Sequence, residues 1–112
     1  MENLKIIESG NAMILRFSGK LDFTNADDLE REIQSLIGTR KLNLIFNLSE
    51  VTFISSSGIR VLMVSMKIAA GYNLKVLFVA VNEKAKHLLE ILGLLDQIKI
   101  LETEEEALSF LK

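Results

Sequence analysis

The fold of this chain is decided by residues 47–62, which read NLSEVTFISSSGIRVL. An apolar strand is predicted to end at Asn47, and a short bridge then carries Phe53 and Ile54. Three serines and a glycine follow at residues 55–58 and open a long apolar helix. A helix start offers unpaired N–H groups and the positive end of a dipole, so this place is suited to a phosphate. We therefore predict that the serines form a switch and that one of them is phosphorylated.

Length and composition predict one compact domain that spans residues 1–112. The sequence is 49% hydrophobic and 25% charged, which is ordinary for a globular protein. Its net charge of −2 argues against a nucleic-acid partner, which normally calls for a basic face. Without cysteine there is no disulfide framework, no thiol nucleophile and no thiolate metal site.

The first residues, MENLK at 1–5, lack the apolar core of a signal peptide. No apolar run approaches the roughly 20 residues that a membrane span needs. We therefore expect a cytoplasmic protein with no membrane partner.

Apolar periodicity predicts a regular alternation of strands and helices along the chain. Strands are expected at residues 4–7, 12–17, 42–48, 74–80 and 98–100, the first two joined by a turn at 9–11. A loop is expected at 18–25, and helices are expected at 25–37, 58–70, 83–92 and after Thr103. A hairpin followed by alternating helices and strands predicts an α/β fold. Its mixed β-sheet has an N-terminal antiparallel hairpin and is flanked by about four α-helices.

The residues that could carry catalysis or bind a metal do not form a recognisable site. His87 is the only histidine, and a metal site needs several converging ligands. Asp27 and Asp28 fit the first turn of a helix, where the dipole favours negative charge. No Gly-rich phosphate loop follows a strand, and no glycine precedes a serine of the 55–57 segment by two residues. We expect neither an enzyme nor a cofactor nor a metal.

The helix predicted at 58–70 is apolar on two sides. Its core stripe is expected to consist of Ile59, Leu62, Met63, Met66 and Ala70. A second stripe lies roughly opposite and is flanked by Arg60 and Lys67; its members are Val61, Val64 and Ile68. Either neighbouring helices cover this second stripe or it is a partner-binding patch.

The three serines also have a purely structural interpretation. Serine is a common helix N-cap, and Gly58 would then serve only to allow close packing. One cap needs one hydroxyl, however, and this segment offers three.

Three stretches of the chain resemble the signature of the STAS domain: GKLD at 19–22, NLSEVTFISSSGI at 47–59 and GYNLKV at 71–76. More narrowly, the sequence is similar to the bacterial anti-sigma factor antagonists. The resemblance covers essentially the whole chain, including the LGL turn at 92–94. It implies a protein that binds an anti-sigma factor, usually a serine kinase, and so frees a sigma factor for transcription.

The resemblance also implies which residues form the site. In that family the serine directly before the motif's glycine is the phosphoacceptor, which here is Ser57. The family commonly has aspartate at the positions of Ser55 and Asn47, and both differences are expected to remove negative charge near the acceptor. Ser56 is therefore an alternative acceptor. The predicted partner-binding surface comprises Asp22, Thr24, Ser55, Ser56, Ser57, Gly58, Arg60, Val61 and Val64.

Two other functions remain open on the same sequence. One is a constitutive STAS scaffold or accessory subunit of a signalling or transport complex, in which the serines are caps and the second stripe binds. The other is a small-ligand or nucleotide-binding domain. Exchange of the apolar N-terminal hairpin between copies would give a homodimer.

Overall fold

The computed structural model describes residues 2–112. Met1 lies outside the described residues; it belongs to the N-terminal segment in which no signal peptide is expected. The described residues form five strands, four α-helices and a short 3-10 helix. Their bounds are β1 Leu4–Ser9, β2 Ala12–Leu21, α1 Ala26–Arg40, β3 Asn43–Ile54, α2 Ser56–Gly71, β4 Val76–Val79, α3 Glu83–Ile91, 3-10 helix Leu95–Gln97, β5 Lys99–Leu101 and α4 Glu104–Phe110. The predicted α/β fold is confirmed.

The five strands form one mixed sheet in the order β1-β2-β3-β4-β5. β1 and β2 are antiparallel, and every other neighbouring pair is parallel, each parallel pair being joined through a helix. The hairpin turn contains Gly10 at φ 59°, a left-handed conformation that glycine adopts without steric cost. The N-terminal antiparallel hairpin is therefore as predicted.

The two faces of the sheet carry different helices because side chains alternate along each strand. On one face, helices α1 and α2 cover a core in which Phe46 packs edge-to-face against Phe17 at 5.5 Å and Phe78 at 5.3 Å between ring centroids. On the other face, α4 covers a smaller apolar cluster through Ala107. The serine segment opens α2 and so belongs to the first of these layers.

Strands β2 and β3 are longer than the apolar alternation predicted. The alternation stops at polar residues, but backbone pairing continues through Ser18↔Glu50 to Leu21↔Ile54, with two register irregularities. The loop expected at 18–25 is correspondingly shorter, and β4 is shorter than the predicted strand 74–80. The longer pair carries the end of β2 directly to the start of α2.

The buried face of α2 differs from the predicted core stripe. Met63 is 43% exposed and Ala70 is exposed, whereas Val61, placed in the outer stripe, is only 1% exposed. Ile68 is half-buried against the main core. Periodicity could not separate the two stripes because the sheet, α1 and the segment after β4 all pack against this helix. The second stripe was expected either to be covered by neighbouring helices or to bind a partner. In the structure, neighbouring elements cover most of it.

Candidate functional site

The start of α2 is fixed to the end of β2 by Ser55. Its backbone N–H donates to the Leu21 carbonyl at 2.9 Å, and its Oγ accepts the Gly58 N–H at 3.4 Å. Ser55 has the extended backbone of an N-cap, with φ −97° and ψ 176°. The structural role of a cap is therefore filled by one of the three serines.

Ser56 and Ser57 are the first two residues of α2 and have no such role. Ser56 is exposed and Ser57 is half-buried. Within residues 2–112, neither hydroxyl makes a hydrogen bond, and first-turn N–H groups have no intrahelical acceptor. The two hydroxyls thus lie at the positive end of a 16-residue helix without a hydrogen bond within residues 2–112.

Gly58 is a packing residue rather than part of an exposed surface, which corrects the sequence prediction. It is buried, and a Cβ at this position would lie 2.5 Å from the Leu21 carbonyl oxygen and 2.9 Å from the Leu21 Cβ. Only glycine lets α2 begin this close to the end of β2. Gly58 therefore positions the neighbouring serines and offers no side chain to a partner.

The loop between β2 and α1 lies beside the serine segment and is internally hydrogen-bonded. The Asp22 carboxylate accepts the Thr24 N–H at 2.9 Å and also the Thr24 hydroxyl. Asn25 braces the same loop, donating to the Lys20 carbonyl at 2.7 Å and accepting the Asp22 N–H at 3.2 Å. The hydrogen bonds from Thr24 hold the pKa of Asp22 below its usual value, so this side chain is negatively charged at neutral pH.

Two exposed aromatic side chains accompany the site, and the sequence analysis gave neither a role. Phe23 is 81% exposed in the loop after β2, and Phe53 is 52% exposed opposite Lys20 in the β2–β3 pair. The only available signal was an aromatic residue between Asp22 and Thr24, outside any helical or strand stripe. Exposed aromatic residues are typical anchors of protein interfaces.

Of the remaining predicted residues, only Arg60 clearly belongs to this edge. Its guanidinium lies 3.5 Å from the Asp27 carboxylate, with both side chains exposed, and it stands one helical turn after Ser56 and Ser57. Val61 is buried in the core, so its assignment to the partner-binding surface was wrong. Val64 is half-buried and lies further along α2.

Asn47 lies on the opposite face of the sheet, well before the end of β3. Its amide donates to the Glu104 carboxylate at 2.6 Å, and Arg16 donates to the same carboxylate through two bonds of 2.8 Å. Hydrogen bonding from Arg16 in the first place, and from Asn47 in addition, lowers the pKa of Glu104. The expectation that asparagine here removes charge near Ser57 is therefore wrong. Asn47 instead lies beside Glu104, where an aspartate would place a second carboxylate.

The part of the chain that the structure describes contains no group of three or more His, Asp or Glu side chains arranged to hold a metal. His87 is exposed on α3. Within residues 2–112 no helix combines the length and the apolar character needed to cross a membrane.

The fold and the site define a small α/β domain in which a capped, serine-rich helix start stands at the edge of a mixed sheet. The chain belongs to the STAS domain family, whose model matches residues 3–107. The fold was an expectation from the sequence, and the family match confirms it.

Solved structures with the same fold include proteins of different roles. An anti-sigma factor antagonist from Mycobacterium paratuberculosis has a TM-score of 0.84 and 20% identity, over 95% of this chain and 90% of that one. The phosphorylated form of the Bacillus cell fate determinant SpoIIAA has a TM-score of 0.78 and 18% identity, over 97% and 99%. A sulfate transporter family protein from Wolinella succinogenes has a TM-score of 0.77 and 16% identity, over 93% and 87%. At these identities the likeness establishes the fold alone.

Proposed function

We propose that this STAS domain is an anti-sigma factor antagonist. It binds an anti-sigma factor, usually a serine kinase, and so frees a sigma factor; phosphorylation of Ser57 ends the binding. The observation that carries this proposal is that the serines at the start of α2 differ in their hydrogen bonding. Ser55 alone caps the helix, and the Ser57 hydroxyl is left without a hydrogen bond among residues 2–112.

The proposed docking surface consists of residues around this helix start, and we call it the serine surface. Its members are Asp22, Phe23, Thr24, Phe53, Ser56, Ser57 and Arg60. The two exposed phenylalanines supply apolar contact area, and Asp22 and Arg60 add one charge of each sign. A partner that closes over the serines would exclude water from Ser57, which makes the complex sensitive to charge at that hydroxyl.

Phosphorylation would act on the complex rather than on the fold. A phosphate adds about −1.5 to −2 charges and three acceptor oxygens. The helix dipole favours an anion at this end by about 0.3–1 kcal/mol, and Arg60 one turn on supplies a cation. Across an interface, a buried unpaired charge costs several kcal/mol, and each 1.4 kcal/mol is a tenfold loss of affinity. The cost of the charge at the interface is larger than its gain at the helix start. The partner therefore dissociates while the domain stays folded.

The same proposal assigns the chain a cytoplasmic location and a non-catalytic role that needs no cofactor. Its chemistry is limited to accepting a phosphate from a kinase partner. A homodimer formed by hairpin exchange stays a prediction.

The experiment that tests the proposal is phosphate mapping. The protein is incubated with serine-kinase anti-sigma factors of the same organism and ATP, and any added phosphate is located by peptide mass spectrometry. We expect one phosphate on Ser57, absent in Ser57→Ala and retained in Ser56→Ala. Phosphate confined to Ser56 would move the acceptor to the alternative residue. The absence of phosphate with every such kinase would contradict a phospho-switch.

The alternative is a constitutive scaffold or accessory subunit of a signalling or transport complex. Met63 and Val64 favour it, because they give α2 a partly exposed apolar surface apart from the serines. Under this alternative Ser57→Ala and Ser57→Asp leave assembly unchanged, whereas Val64→Asp disrupts it. Co-purification of the three variants with the native partners separates the two functions.

A further inference from the structure

A groove of about 390 Å³ separates α2 from the segment formed by α3 and the following 3-10 helix. This volume lies within the roughly 300–1,000 Å³ that small-molecule sites occupy. We call it the α2–α3 groove. Most of its lining is apolar: Ile59, Leu62, Met63, Val64, Met66, Phe78, Leu89, Leu94 and Ile98. Because Phe78 is part of the main core, the groove reaches down to the central sheet.

The polar part of the lining is cationic. It consists of Arg60, Lys67 and Gln97, and no carboxylate is among the lining residues. This sign is opposite to that of the whole chain, which carries a net charge of −2. Arg60 and Lys67 stand two helical turns apart on one side of α2, about 10 Å along its axis. The only ion pair of Arg60 within residues 2–112 is the long, exposed contact with Asp27, so its charge is available to a ligand.

We propose that the α2–α3 groove binds an amphiphilic anion, a single alkyl chain that ends in a carboxylate or phosphate. The chain lies on the apolar floor, and the head group binds Arg60 or Lys67. A partner helix fits the same charges less well. One helical turn, about 10 Å wide and 5.4 Å long, already fills roughly 400 Å³, which is the whole volume of the groove. The groove shares Arg60 with the serine surface, but binding of the anion does not require phosphorylation of Ser57.

The first test compares three probes that share one chain. Dodecanoate, dodecyl phosphate and dodecyltrimethylammonium are titrated below their micelle concentrations, with calorimetry for affinity and amide NMR shifts for location. At least one anion is expected to bind tenfold or more tightly than the cation, with shifts in α2, α3 and the 3-10 helix. Comparison of the two anions then identifies the preferred head group. Equal binding of the cation, or shifts confined to other elements, would overturn the proposal.

The second test replaces the two cations by methionine, which keeps an unbranched apolar side chain at each position. The double variant Arg60→Met, Lys67→Met is expected to lose the preferred anion at least tenfold. The matched control is Lys84→Met, Lys86→Met, which removes two exposed charges of α3 outside the lining and should bind normally. A third variant, Val64→Phe, narrows the groove and should abolish binding at an unchanged net charge. Wild-type affinity in either groove variant would contradict the site.

Discussion

At the scale of single residues, the three neighbouring serines have different environments. Ser55 accepts a backbone hydrogen bond and fixes the helix start, whereas the hydroxyls of Ser56 and Ser57 make no hydrogen bond within residues 2–112. A modification of the Ser57 hydroxyl therefore breaks no hydrogen bond within the described residues. The same chemistry at Ser55 would remove the helix cap.

The close approach at Gly58 gives the first prediction. Gly58→Ala should lower the free energy of unfolding by about 1–3 kcal/mol, because the new methyl meets the Leu21 carbonyl at 2.5 Å and backbone must move. The matched control is Gly71→Ala at the other end of α2, where no atom lies within 4 Å of the new Cβ. Urea denaturation of both variants measures the difference. Equal stabilities would show that the helix start tolerates a side chain.

The two exposed aromatics of the serine surface give the second prediction. Phe23→Ala and Phe53→Ala should each weaken binding of the proposed anti-sigma partner about tenfold or more, as expected for interface anchors. Neither substitution should lower the melting temperature by more than a few degrees, since both side chains are largely in solvent. The control is Phe110→Ala on α4, where the side chain is 50% exposed, close to the 52% of Phe53. Affinities are measured by surface plasmon resonance. Parent-like binding by both Phe23→Ala and Phe53→Ala would contradict the proposed docking surface.

At the scale of secondary-structure elements, helix α4 is held to the sheet by a charged contact. Arg16 on β2 and Asn47 on β3 both donate to Glu104 in the first turn of α4. The contact sits beside the apolar cluster that Ala107 and Leu111 complete. It therefore fixes the position of a seven-residue helix that buries little surface of its own.

The lowered pKa of Glu104 makes this contact dependent on pH. A carboxylate with a depressed folded-state pKa stabilises the fold above its unfolded value of 4.5 and loses that contribution as pH falls through the folded value. Glu104→Gln should therefore cost about 1 kcal/mol at pH 7 and show a flatter loss of stability below pH 4.5. Urea midpoints between pH 7 and pH 3 check this. The exposed neighbour Glu105→Gln should behave like the parent, and parallel curves for Glu104→Gln would contradict the account.

Most elements were predictable because their apolar spacing is regular, and the hairpin turn carries its own glycine. The ends of β2 and β3 were not, since backbone pairing continues where side-chain alternation stops. The buried face of α2 was also mispredicted, because this helix is covered on more than one side and Val61 and Met63 are equally apolar. Periodicity alone cannot choose between two apolar faces.

The candidate site was predictable only in part. The resemblance of the serine motif to the STAS signature implies Ser57, with Ser56 as the alternative, and the short spacing to Arg60 places that cation one turn away. Phe23 and Phe53 could not be assigned, since their exposure depends on how β2 and β3 pair beyond the apolar stretch. The location of Asn47 on the α4 face needed the three-dimensional contact with Glu104.

At the scale of the whole molecule, the proposed switch lies at the margin of a scaffold whose core does not include it. The core lies between the sheet and its helices, with three phenylalanines packed edge-to-face at its centre. The serine surface lies at the end of β2. There the Leu21 carbonyl accepts the Ser55 N–H, and Gly58 packs against Leu21. We expect charge added there to change what can dock and to leave the buried core unchanged.

The central claim is that negative charge at Ser57 releases the anti-sigma partner from an intact domain. The most direct measurement is the affinity of Ser57→Asp for that partner, taken together with its melting temperature. The control is Ser109→Asp, which adds the same charge at an exposed position of α4. We predict at least tenfold weaker binding for Ser57→Asp alone, with melting temperatures of both variants within a few degrees of the parent. Undiminished binding by Ser57→Asp, or its loss of binding through unfolding, would contradict the claim.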